Sequence, residues 1–134
     1  MAPAHSRAAR SERRVQSRLV LGTPLPVRLI HAIDGSVWHA SIVNLSEAGC
    51  AILVSKGVSV LPPRKIFGKL EVRFSRVPSG HRHGIYVRAR HCSEVRDAWR
   101  IGLQFLDVDG PSLERVRGSI VSFLRSEERM RLSA

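Results

Sequence analysis

Two cysteines, one tyrosine, two tryptophans and four phenylalanines are a thin supply for 134 residues. Cys50 and Cys92 have no CxxC spacing and no clustered histidines beside them. Neither a disulfide framework nor a zinc site is indicated, and buried reduced thiols are the expectation. No stretch approaches the roughly 18 consecutive apolar residues of a membrane helix, and the opening MAPAHSRAARSERR lacks the apolar segment of a signal peptide. A cytoplasmic protein without membrane insertion is therefore expected.

Acidic residues are also scarce, 11 against 22 Lys and Arg, which leaves a formal net charge of +11 and predicts attraction to phosphates or acidic surfaces. Lys65, Lys69 and Lys56 are the only lysines, so 19 of the 22 basic residues are Arg. The planar guanidinium fork grips phosphate with two hydrogen bonds and stacks on bases.

Catalytic constellations are missing too. Neither GxxxxGK[ST] nor GxGxxG occurs, and no pairing of a nucleophile with a base makes a convincing catalytic constellation. The closest histidine pair, His81 and His83 in GHRHG, reads as a solvated loop without further ligands. Asp107 and Asp109 precede a helical pattern, where carboxylates favour the positive end of the helix dipole, and are assigned to capping. No catalytic residue, metal or cofactor is expected, and the chain is not an enzyme.

What is present is strand pattern. Residues 1–12 are small, polar and basic, and read as a disordered tail ahead of one domain over residues 13–127. From Pro24 a strand with Val27, Leu29 and Ile33 runs to Asp34-Gly35, a two-residue hairpin signal, and Val37 to Val43 return. Further strands are predicted at CAILV (50–54), Phe67 to Phe74, Ile85 to Cys92 and Trp99 to Leu106, with VPSGHRHG as a loop. Trp38 and Trp99 are assigned to packing. Six short strands argue for an all-β dominated fold, a six-stranded antiparallel β-barrel, since closure removes exposed edges. Leu113, Val116, Ile120, Phe123 and Leu124 form one apolar stripe, predicting a C-terminal α-helix over about residues 111–131.

Two clusters remain. Arg14-x-x-x-Arg18, with Arg13 just ahead, lies at the start of the fold, and Asn44-Leu45-Ser46-Glu47-Ala48-Gly49 ends the second strand. Asn44 offers donor and acceptor to a base edge, Ser46 a hydroxyl, and Gly49 a close approach; an ordinary Asn/Ser/Gly turn uses the same residues.

RxxxR, then strand, hairpin, strand, NxSxxG, and a last strand WRIGLQF before a helix together resemble the PilZ domain family over roughly residues 10–125. The resemblance implies a six-stranded barrel that binds cyclic di-GMP through Arg14 and Arg18 of the first motif and Asn44, Ser46 and Gly49 of the second. Arg13 is expected to add a grip, and Arg88 and Arg90 on the fifth strand are auxiliary candidates. The expectation is a non-enzymatic receptor or adaptor whose flexible basic N-terminal segment is ordered by the ligand and which signals to a protein effector partner. The physics agrees, because guanine's O6/N7 edge matches an Arg fork.

Two alternatives stand beside it. One is a small basic barrel that binds RNA or single-stranded DNA; nucleic acid is not the expected partner, because 5% aromatic content, mostly at core positions, is poor in stacking surfaces. The other is the same fold as a scaffold without ligand.

Overall fold

The computed structural model describes residues 19–58, 63, 65–76, 80–107 and 110–133. Six strands, β1 (Leu19–His31), β2 (Val37–Leu45), β3 (Gly49–Ser55), β4 (Phe67–Arg73), β5 (Arg82–Val95) and β6 (Ala98–Phe105), precede one helix, α1 (Gly110–Ser133). All pairings are antiparallel, and the order β1-β2-β3-β6-β5-β4 closes into a barrel. Alternation along each strand does the sorting: Val27, Leu29, Ile42, Ile52, Val54, Leu70, Val72, Ile85, Val87, Ile101 and Leu103 all point into one buried core. A residue such as Leu29 or Ile101, fully buried, contributes about 1.5–3 kcal/mol by leaving water.

The helix adds its stripe to that core. Leu113, Val116, Ile120 and Phe123 recur at helical spacing and are buried with the barrel residues. Arg76 fastens the helix from outside. Its Nη2 donates to the Thr23 carbonyl at 2.5 Å and to Glu127 Oε1 at 2.8 Å, and the guanidinium lies 5.4 Å from the Phe123 ring centroid.

Several details depart from the sequence pattern. β1 begins at Leu19, not near Pro24. The β1–β2 loop is Ala32–Ser36, longer than a two-residue turn, and Ile33 is at its tip with 96% of its surface exposed. Asp34 organises the loop: Oδ1 accepts from the Ser36 backbone N–H at 2.9 Å and hydroxyl at 2.8 Å, which holds the carboxyl below its ordinary range, while Gly35 takes φ +72°. β5 starts at Arg82, inside the expected loop, because Arg82, His83 and Gly84 pair with Arg73, Val72 and Glu71. His83 is thereby drawn against the helix, its Nε2 2.8 Å from Ser119 Oγ. Burial, with the positive charge of His81 and Arg115 nearby, holds the His83 imidazole below its ordinary pKa.

Trp99 is buried, and Trp38 packs at the core's margin in a T-shaped contact with His31. Among the described residues neither Cys50 nor Cys92 is in a disulfide, and burial pushes Cys50 up to about 12. Asp107 is exposed ahead of α1, and Asp109 lies outside the described residues. Among the described residues no helix is long and apolar enough to cross a membrane, and no group of three or more His, Cys, Asp or Glu side chains converges.

Candidate ligand-binding site

The Asn44–Gly49 segment turns the chain from β2 into β3. Leu45 is fully buried and anchors it, so its neighbours Asn44 and Ser46 belong to the outer side. The Ser46 backbone N–H donates to the Gly49 carbonyl at 2.9 Å, the Ser46 hydroxyl donates to the same oxygen at 3.3 Å, and that hydroxyl accepts from the Ala48 N–H at 3.3 Å. Gly49 lies opposite Gln104 on β6, and a Cβ there would collide with the Leu103 carbonyl oxygen. Ser46 and Gly49 therefore have structural work in the turn whether or not a ligand is bound.

Asn44 does not share that work. Among the described residues nothing hydrogen-bonds its carboxamide, and it lines an open groove of about 280 Å³ with Ser46, Gly49, Arg90, Arg100 and Gln104. Ala51, Gly102 and Leu103 also line the groove, and the His91 ring lies where a Cβ on Gly102 would be. Two arginines and no carboxylate line it, so its field favours an anion. Arg90 Nη1 and Arg88 Nη2 each donate to Gln104 Oε1 at 3.3 Å. One carboxamide oxygen thus sets the position of both guanidinium groups.

Asn44, Ser46, Gly49 and Arg90 are brought together in this groove, and Arg88 adjoins it through Gln104. Arg13, Arg14 and Arg18 lie outside the described residues. The chain enters the barrel next to the groove, since Leu19 pairs with Leu45 and Val20 with Asn44. Arg100, Gln104 and His91 were not singled out from the sequence. They reach the site only because β6 pairs with β3 on one side and β5 on the other, and no local pattern marks such a meeting.

The sequence profile of the PilZ domain family matches residues 9–122, most of the chain. The chain belongs to the PilZ domain family. Proteins of this family are receptors and not enzymes. Three solved structures share the fold. The PilZ domain of Escherichia coli YcgR with c-di-GMP has a TM-score of 0.62 at 19% identity, over 87% of this chain and 94% of that one. YcgR from the same organism in complex with c-di-GMP gives 0.61 at 21%, over 87% and 47%. The Bacillus subtilis inhibitor of motility MotI/DgrA gives 0.60 at 14%, over 87% and 50%. The chain thus spans about half the length of the longer proteins and nearly all of the isolated PilZ domain. No curated protein matches the chain significantly in sequence.

Proposed function

We propose that the chain is a cyclic di-GMP receptor that holds the dinucleotide in the groove beside the β2–β3 turn. Membership of the PilZ family and the likeness to PilZ structures solved with c-di-GMP support the receptor reading. The observation that carries it to this chain's residues is the gathering of Asn44, Ser46 and Gly49 with Arg90, Arg100 and Gln104 in one cationic groove.

The groove is open to solvent, so the barrel wall alone leaves much of a dinucleotide in water. Arg18 immediately precedes Leu19, which pairs with Leu45, and five residues of extended chain reach about 18 Å, which brings Arg14 within range as well. In this reading Arg14 and Arg18 cover the ligand, each able to fork onto a phosphate or a guanine O6/N7 edge, and Arg13 adds a further cation. Asn44 takes a guanine edge from the barrel side, and Arg90 and Arg100 neutralise phosphate. No bond is made or broken, and the output is recognition of the covered groove by a protein partner.

Titration of cyclic di-GMP into the Arg14→Ala, Arg18→Ala and Asn44→Ala variants tests the assignment. Each is expected to lose at least tenfold in affinity, the scale of one charge-assisted or bidentate contact. Unchanged micromolar affinity in both arginine variants would refute the RxxxR assignment.

A further inference from the structure

Phe67 and Tyr86 lie on the outside of the barrel, exceptions to the expectation that most aromatics occupy core positions. Phe67 keeps 45% of its surface in water and Tyr86 38%. The pairing of β4 with β5 sets Phe67 against Arg88 and Lys69 against Tyr86. The two rings therefore meet on the diagonal, with centroids 6.0 Å apart and planes 19° from parallel.

Burial alternates cleanly here. Ile66, Gly68, Leu70, Ile85 and Val87 are inside, and Lys65, Phe67, Lys69, Tyr86, Arg88 and Arg90 are outside. Two of the chain's three lysines thus flank Phe67, Lys65 just before β4 and Lys69 within it. Glu71, the next outward acid on β4, is committed to Arg28, whose guanidinium holds its carboxyl below the ordinary range. The face presents two aromatic rings among Lys65, Lys69 and Arg88, while Arg90, the next outward cation on β5, lines the groove.

We propose that this outer face of β4 and β5 binds single-stranded nucleic acid. Bases stack on Phe67 and Tyr86, and Lys65, Lys69 and Arg88 hold the phosphates. Stacking on aromatic rings within a cationic track is how strand faces hold single strands without reading sequence. A protein partner is the weaker fit, because protein interfaces are depleted in lysine whereas phosphate contacts use it. The two rings stand apart from the groove, and Arg88 is the one residue of the face that adjoins it, through Gln104. Register runs Gly49, Gln104, Arg88, Phe67 across β3, β6, β5 and β4, so Phe67 is three strand spacings, about 14 Å, from Gly49. The inference does not depend on cyclic di-GMP binding.

Fluorescence anisotropy of the whole chain with labelled oligothymidylate and oligouridylate of about twenty nucleotides tests it, from about 50 to 200 mM salt. Expected are saturable binding that weakens with salt and a loss of about tenfold for Phe67→Ala and for Tyr86→Ala. Lys56→Ala, whose ammonium pairs with Glu94, is expected to change little, and cyclic di-GMP titrations of the aromatic variants are expected to match the wild type. Phe67→Leu and Tyr86→Leu keep apolar bulk while removing the stacking plane, and are expected to lose affinity similarly if an alanine variant unfolds. Absence of binding at the lowest salt, or affinity indifferent to both rings, would overturn the proposal. Displacement by charge-matched polyglutamate as effective as by unlabelled oligothymidylate would overturn it as well, marking a docking face for acidic polypeptide.

Discussion

Gly49→Ala separates what the β2–β3 turn does for the fold from what it does for a ligand. The new Cβ would run into the Leu103 carbonyl oxygen, with Leu103 C at 3.2 Å and Gln104 Cα at 3.3 Å, all backbone of β6. None of these can move aside as a flexible side chain could, so β3 has to draw away from β6. Overpacking of this kind costs about 1–3 kcal/mol. The shift also strains the Ser46-to-Gly49 and Phe105-to-Ala48 hydrogen bonds, each worth about 1 kcal/mol. A loss of about 2–4 kcal/mol is expected, which lowers Tm by about 6–14 °C for a domain of this size. Urea unfolding followed by circular dichroism, together with a thermal melt, measures it. Gly118→Ala is the matched control: its Cβ meets nothing within 4 Å, and in mid-helix it is expected to stabilise by about 0.5–1 kcal/mol. A Gly49→Ala protein that melts within about 1 °C of wild type would refute the close approach.

Stability should fall on acidification because of His83. Burial keeps it neutral in the fold, below its ordinary value of 6.5, so the unfolded chain takes up the proton first, and stability rises with pH across that interval. The contribution is intact above about pH 6.5 and is lost as pH falls toward the folded-state pKa; in urea titrations His83→Gln should flatten that slope, and an unchanged slope would contradict the assignment. Arg76→Ala should cost about 1–2 kcal/mol by freeing Glu127 and the Thr23 carbonyl, with faster amide exchange in the last turns of the helix. Cys50, pushed up to about 12 by burial, should resist a thiol reagent at pH 8 in the folded protein and react once urea unfolds it; fast labelling of Cys50 in the native state would refute its burial.

Barrel and helix were legible because the signals are local. Alternation in Phe67–Phe74 and Trp99–Leu106 and the 113-116-120-123 stripe each survive folding unchanged, and each is decided by which side of the element meets water. The differences arise where tertiary pairing overrides local chemistry. The strand pattern was read from Pro24, yet pairing of Leu19 and Val20 with Leu45 and Asn44 extends β1 toward the N-terminus. GHRHG has loop composition, yet its last three residues, Arg82, His83 and Gly84, are paired with β4. The parity of β4 sets Phe67 beside Lys69 and Glu71 on the wet face.

The site divides in the same way. The NxSxxG turn is contiguous in sequence, so Asn44, Ser46 and Gly49 could be read from it. Arg100, Gln104 and His91 enter the groove by strand order alone. Of the auxiliary pair, Arg90 lines the groove and Arg88 reaches it through the shared Gln104 oxygen.

Isothermal titration of the wild-type chain with cyclic di-GMP at physiological salt, with GMP and GTP as controls, tests the central claim most directly. Saturable binding in the low micromolar range or tighter, with no comparable heat from either control, is the predicted result. Absence of saturable binding, or equal binding of GMP, would contradict a receptor built on this groove.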